Sequence, residues 1–162
     1  MKIVAVIVPV PQFIKTPFEL GDWVAFECKD YTMFAEVKAM EVDTKNGRIK
    51  ILGVWGNCDI AGIGDKGWQY ADQCRLATER EKYWEGRRRV FAKKKRKNNE
   101  FHPGDFVSDD SRVLTVGHQD KDTGVVTVLV NNSDESYKVE PHDLEILFFA
   151  EDAAGWSGKA YI

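Results

Sequence analysis

The sequence predicts a mainly β chain: two tandem small β-barrels joined by a basic amphipathic helix. Three observations carry this reading. A seven-residue pattern, F-x-x-G-D-aromatic-V, occurs twice, at Phe18 to Val24 and at Phe101 to Val107. Each copy is followed by a strand–turn–strand pattern with the same ending. Between the copies lies a stretch with helical spacing and dense positive charge.

The elements follow in order. Ile3 to Val8 is an apolar run too short for a signal-peptide core, and Pro9 and Pro11 interrupt it. It reads as an N-terminal strand within residues 1–17. In the first copy an alternating apolar run reaches Val42. Asp43-Thr44-Lys45-Asn46-Gly47 follows, then Arg48 to Leu52. Asn-Gly between two such runs predicts a type I′ hairpin, which needs positive φ at both central residues. In the second copy Val113 to Val116 leads to Asp120 to Gly124 and then to Val125 to Val130. Asp122-Thr123-Gly124 predicts a longer turn with Gly in the left-handed region. Trp68-Gln69-Tyr70 before Asp72 and Leu76, and Tyr137-Lys138-Val139 before Asp143 to Leu147, each predict a strand, one helical turn and a short last strand.

The glycine–aspartate corner, the bent strand, the glycine hairpin and the closing segment together resemble the SH3-like barrels of the Tudor and KOW families. The resemblance covers residues 18–78 and 101–149, with a tail at 150–162 that contains Trp156 and Tyr161. It implies a binding module whose loops form the contact surface. Repeat 1 has the longer third loop, Gly56 to Gly67 against Asn131 to Ser136, which implies different tasks for the two barrels. Tudor domains hold methylated side chains in aromatic cages. The resemblance draws cage candidates from Trp23, Tyr31, Phe34 and Trp55; large aromatics that simply fill a small barrel are the competing reading.

The linker is read as a helix over residues 79–100. Leu76, Tyr83 and Val90, with Ala77, Trp84 and Phe91, form one narrow stripe. Thr78 is placed to cap its start, with Glu79 and Glu81 in the first turn. Gly86 weakens it. Arg87, Arg88, Arg89, Lys93, Lys94, Lys95, Arg96 and Lys97 are eight cations in a run without an acid, and the rest of the chain has 15 basic against 26 acidic residues. Such a run fits a phosphate backbone, an acidic partner protein or the chain's own acidic surface, any of which offsets its self-repulsion; a solvated helix face is the competing reading.

Other motifs carry less. Gly62-Ile63-Gly64-Asp65-Lys66-Gly67 matches G-x-G-x-x-G, but it precedes a strand instead of opening a helix, and the residue 20 positions beyond Gly67 is Arg87. Asp120-x-Asp122-x-Gly124 lacks the later ligands of a calcium loop. Cys28, Cys58 and Cys74 have no metal-ligand spacing and read as free thiols in a reducing compartment. His102, His118 and His142 are scattered, and no hydrolase or P-loop pattern occurs. No apolar run reaches the roughly 20 residues of a membrane span.

The expectation is a cytoplasmic, non-enzymatic binding protein with no cofactor and no metal. It associates with DNA or RNA through the eight cations, with the barrels as interaction modules. The alternative is an adaptor or inhibitor of a kind found among small bacterial or phage-type genes, docking on a partner protein through barrel loops.

Overall fold

Eleven strands, an α-helix, two 3-10 turns and a helical stretch at 150–152 are laid out along residues 16–152, the part of the chain that a computed structural model describes. The N-terminal strand expected within 1–17 and the tail aromatics Trp156 and Tyr161 lie outside the described residues. The chain divides into two units, Met1–Asn98 and Asn99–Ile162. No described helix is long and apolar enough to cross a membrane.

The first unit contains β1 (Trp23–Glu27), β2 (Thr32–Glu36), β3 (Ala39–Val42), β4 (Ile49–Trp55), β5 (Asp65–Tyr70) and β6 (Cys74–Leu76), with a 3-10 turn at Ala71–Gln73. Its strands form two antiparallel sheets, β2-β1-β6 and β3-β4-β5. The pair Phe34 and Gly56 bridges β2 to the end of β4. The second unit contains β7 (Phe106–Ser108), β8 (Val113–Gln119), β9 (Val126–Val130), β10 (Ser136–Val139) and β11 (Glu145–Phe148), with a 3-10 turn at Pro141–Asp143. These form one sheet in the order β10-β9-β8-β7-β11. Both units are therefore antiparallel meanders whose last strand returns beside the first. Neither ladder closes: one unit is split into two sheets and the other is an open five-stranded sheet.

The repeated corner explains why both units start alike. Gly21 and Gly104 have φ of 91° and 92°, a region that L side chains rarely adopt. Gly21 donates to the Val37 carbonyl and Gly104 to that of Val116. Val37 and Val116 donate back to the carbonyls of Asp22 and Asp105. The aspartate side chains then accept the N–H of Glu19 and of His102. At these valines the second strand is interrupted in both units: β2 ends at Glu36 and β3 starts at Ala39, and β8 shifts register between Val116 and His118.

The hairpin turns are also the same. The carbonyls of Asp43 and Asp120 accept Gly47 and Gly124 N–H, and their carboxylates accept the N–H groups of Lys45 and Asp122. Gly47 and Gly124 have φ of 71° and 77°, but Asn46 is not in the positive-φ region. This corrects the type I′ reading: the Asp43 carboxylate captures the chain early and stretches the turn to the length of the second one.

The first core is built on alternating strand residues. Phe18, Val24, Ala35, Val37, Ile51, Trp55 and Ala71 form one buried cluster. In the second unit Val107, Leu114, Val116, Val126, Val128 and Leu144 are buried.

The α-helix, α1, spans Glu79–Lys93 and belongs to the first unit. Thr78 and Glu81 form a complete capping box. Arg75 holds Glu81 as well, and lowers its carboxyl to about 2. The helix stops seven residues before the expected end at 100. Arg96 N–H reaches back to the Phe91 carbonyl and Lys95 takes φ 59°, a position where glycine is usual. The expected stripe is also corrected. Phe91 is fully buried, whereas Leu76, Tyr83 and Val90 are 57%, 44% and 40% exposed. The buried face is Phe91 with Glu85, Arg87 and Arg88, so polar side chains do most of the facing.

Gly86 has nothing within 4 Å of where a Cβ would sit and does not need positive φ. Gly86→Ala is expected to stabilise the first unit by about 0.5–1 kcal/mol, through helix propensity alone. A higher urea midpoint by tryptophan fluorescence checks this; an unchanged or lower midpoint contradicts it.

Candidate nucleic-acid interface

Whether the basic segment is an interface depends on which of its cations reach solvent. A helix turns about 100° per residue, so Arg87, Arg88 and Arg89 point to three sides. Arg88 is 4% exposed and turns into the first unit. Its Nε and Nη2 grip both oxygens of Glu85, one helical turn earlier. The remaining donors meet the carbonyls of Gly62 at 2.6 Å and Ile63 at 2.8 Å. Arg89 bonds Glu85 through Nε at 2.8 Å and the carbonyls of Phe34 and Val54 through Nη2 at 2.8 Å. One carboxylate thus serves two guanidiniums, and backbone carbonyls take the other donors.

This network accounts for the long loop between β4 and β5. The loop turns its carbonyls toward Arg88, and Asn57 inside it is 4% exposed and accepts the N–H of Asp59. Gly56 is required at its start. A Cβ there would lie 2.4 Å from the Ile63 carbonyl oxygen and 2.8 Å from Arg88 Nη2. The G-x-G-x-x-G stretch therefore presents acceptors toward the helix; a phosphate cradle needs N–H donors.

The aromatic candidates do not gather as an open cage. Trp55 is 4% exposed, packs edge-on against Phe26, and donates its indole N–H to the Gly67 carbonyl. It is a core residue, which corrects its assignment to an interaction surface. Trp23 is half-buried, with the Arg89 guanidinium 4.9 Å from its ring centre. The chain thus supplies its own cation to that ring. Phe34 is half-buried and engaged through its backbone. Tyr31 alone of the four is exposed, at 49%.

The remaining cations differ in kind. Arg87 and Arg96 are buried, at 6% and 5% exposure, and the Arg87 guanidinium lies 5.6 Å from the Trp84 ring centre. Lys94 is half-buried, whereas Lys93, Lys95 and Lys97 are exposed. The helix ending brings part of the segment into one place. A cleft of about 580 Å³ opens between the 58–62 loop and the end of α1, lined by Cys58, Ile60, Arg88, Lys95, Arg96 and Lys97 among others. Sequence reasoning missed this cleft, because its far wall comes from a loop some thirty positions away. The only local hint was the extra length of that loop.

Cys58 is the thiol that lines the cleft. Partial burial and the adjoining Asp59 carboxylate push the Cys58 thiol up from its ordinary value, away from thiolate character. Cys74, pushed up to about 11 by burial, donates to the Tyr70 carbonyl. His102 contacts Glu100 and His142 contacts Asp143. Among the described residues, no three His, Cys, Asp or Glu side chains gather as a metal site.

Charge separates by unit. Residues 1–98 carry 19 basic against 13 acidic residues, and residues 99–162 carry 4 against 13. The acidity of the chain is therefore mostly that of the second unit. No protein-family model and no curated protein matches the chain.

Proposed function

We propose that this is a non-enzymatic binding protein built of two SH3-like modules of Tudor/KOW type, and that its first unit engages DNA or RNA at the end of α1. The shared strand order, the 3-10 turn before each returning strand and the twin glycine–aspartate corners support the module reading. The observation that carries the functional reading is the cleft where Lys95 and Lys97 meet Arg88 and Arg96, with exposed Lys93 one turn away. The donors of Arg88 are committed to Glu85 and to loop carbonyls, so lysines supply the phosphate contacts. Lysine contacts of this kind hold a backbone without reading bases.

The decisive variant is Lys93→Gln, Lys95→Gln, Lys97→Gln, which leaves the Glu85 network intact. The parent is expected to retard labelled single- and double-stranded probes at low salt. The variant is expected to bind more weakly. The slope of log affinity against log salt should fall by about 0.7–0.9 for each phosphate that the variant no longer neutralises, or roughly 2–3 in total. Equal binding by parent and variant at every salt concentration would remove the nucleic-acid reading.

A further inference from the structure

We infer that the second unit carries a docking face for a cationic protein surface with an apolar centre, a partner separate from the one the first unit engages. The face follows from strand register. Phe148 pairs with Phe106, Phe106 with Thr115, Thr115 with Leu129, and Leu129 with Ser136. Residues opposed across a ladder share one face, and neighbours along a strand alternate except at a bulge, such as the one between Ile146 and Phe148 that turns Phe148 to the Phe106 side. This row therefore crosses all five strands on the side opposite Val107, Leu114 and Val128, each of which is 0% exposed.

Phe106 and Thr115 in this row are half-buried, and the residues around them are more open. Phe148 is 64% exposed, Leu129 42%, and Val113, opposite Ser108 on the same face, 53%. Leu129 lies across Gly117, where a Cβ would come within 3.3 Å of its side chain. Gly117 thus lets the leucine lie flat on the sheet. Phe148, Phe106, Val113 and Leu129 thus put four large apolar side chains on one face, with Thr115 among them.

The rim fixes the chemistry of the occupant. Between Asn99 and Asp152 there are twelve carboxylates besides the buried Asp105, and the cations are Arg112, Lys121 and Lys138. Asp109 and Asp110 follow Ser108 directly, Asp134 and Glu135 precede Ser136, and Glu145 opposes Ser108 at the start of β11. The Tyr137 hydroxyl and the N–H groups of Ser111 and Arg112 hold Asp109 below the ordinary carboxylate range, so it stays ionised. A nucleic acid is repelled here, and so is a second copy presenting the same acidic rim. A cationic protein surface with an apolar centre matches both parts, as an apolar interface core within a charged rim.

The test uses the full-length protein and a labelled synthetic amphipathic peptide of Leu and Lys, with an oligolysine of equal charge as control. Fluorescence anisotropy is expected to show the parent binding the Leu/Lys peptide more tightly than oligolysine. Leu129→Ser with Phe148→Ser is expected to weaken the Leu/Lys peptide about tenfold or more, as removal of central apolar anchors does, and to leave oligolysine unchanged. Both residues are exposed, so circular dichroism should show an unaltered fold. The Lys93, Lys95 and Lys97 triple variant is expected to bind the peptide like the parent, which separates this face from the nucleic-acid reading. Four results would each overturn the proposal: a parent that does not bind the Leu/Lys peptide; equal binding by parent and double variant; a parent dimer in sedimentation that the double variant dissolves; or at least tenfold tighter peptide binding by a chain ending at Asp152, which would make residues 153–162 the occupant.

Discussion

Glu85→Gln is expected to destabilise the first unit by about 3–5 kcal/mol, because it leaves two inward-turned guanidiniums without their shared counter-charge. Arg88 and Glu85 are 4% exposed each, and the Arg89 side chain is 13% exposed, so water restores little of that stabilisation. A domain's whole stability is about 5–15 kcal/mol, so much of it depends on this carboxylate. Trp23, Trp55, Trp68 and Trp84 all belong to the first unit and report its urea unfolding. A shift under 1 kcal/mol would mean that the backbone carbonyls alone hold the arginines. Replacing Glu85, Arg88 and Arg89 together by Met, Leu and Leu removes the buried charge, yet it is not expected to restore the parent's stability. The carbonyls of Val54, Gly62 and Ile63 would lose donors that no apolar side chain supplies, and that of Phe34 would keep only the Gly56 N–H.

The second large effect is expected from the repeated corner, and it should differ between the copies. Asp105 is 0% exposed and accepts N–H groups from His102 at 2.8 Å and Ala150 at 2.7 Å. Asp105→Ala leaves both donors without that acceptor and is expected to cost about 2–6 kcal/mol, at about 1–3 kcal/mol for each unsatisfied group. Asp22 is only half-buried, and its side chain accepts from Glu19 at 2.9 Å. Asp22→Ala is expected to cost about 1 kcal/mol. Amide hydrogen exchange in β7, β8 and β11 measures the first, and tryptophan fluorescence measures the second. Equal costs in the two units would show that the corner acts through its backbone bonds alone.

Much of the architecture was legible because it is written in local patterns. The two F-x-x-G-D-aromatic-V segments mark the same corner, and the alternating runs mark strands whose inner residues form the cores. Thr78 and Glu81 mark the start of α1 within a single helical turn. Each of these signals lies within a few residues of the structure it specifies.

The candidate site was legible only in part. Composition marked Arg87 to Lys97 as one cationic run, but it could not separate Arg88 and Arg89 from Lys93, Lys95 and Lys97. A guanidinium turned inward onto carbonyls and one turned toward solvent look identical in sequence. The difference is set by carbonyls at Phe34, Val54, Gly62 and Ile63, which lie 25 to 55 positions away. Trp55 was likewise indistinguishable from a surface aromatic until its indole met Gly67.

By itself the sequence determined that this protein is mainly β, twice repeated and interrupted by a capped basic helix, because periodicity, turn chemistry and capping act over short spans. The tertiary structure alone decided that the helix belongs to the first unit, that Arg87, Arg88 and Arg96 of the basic run are buried, and that an acidic second unit shows an apolar row to solvent. These outcomes depend on which distant backbone groups and strands come together, and no local pattern encodes that.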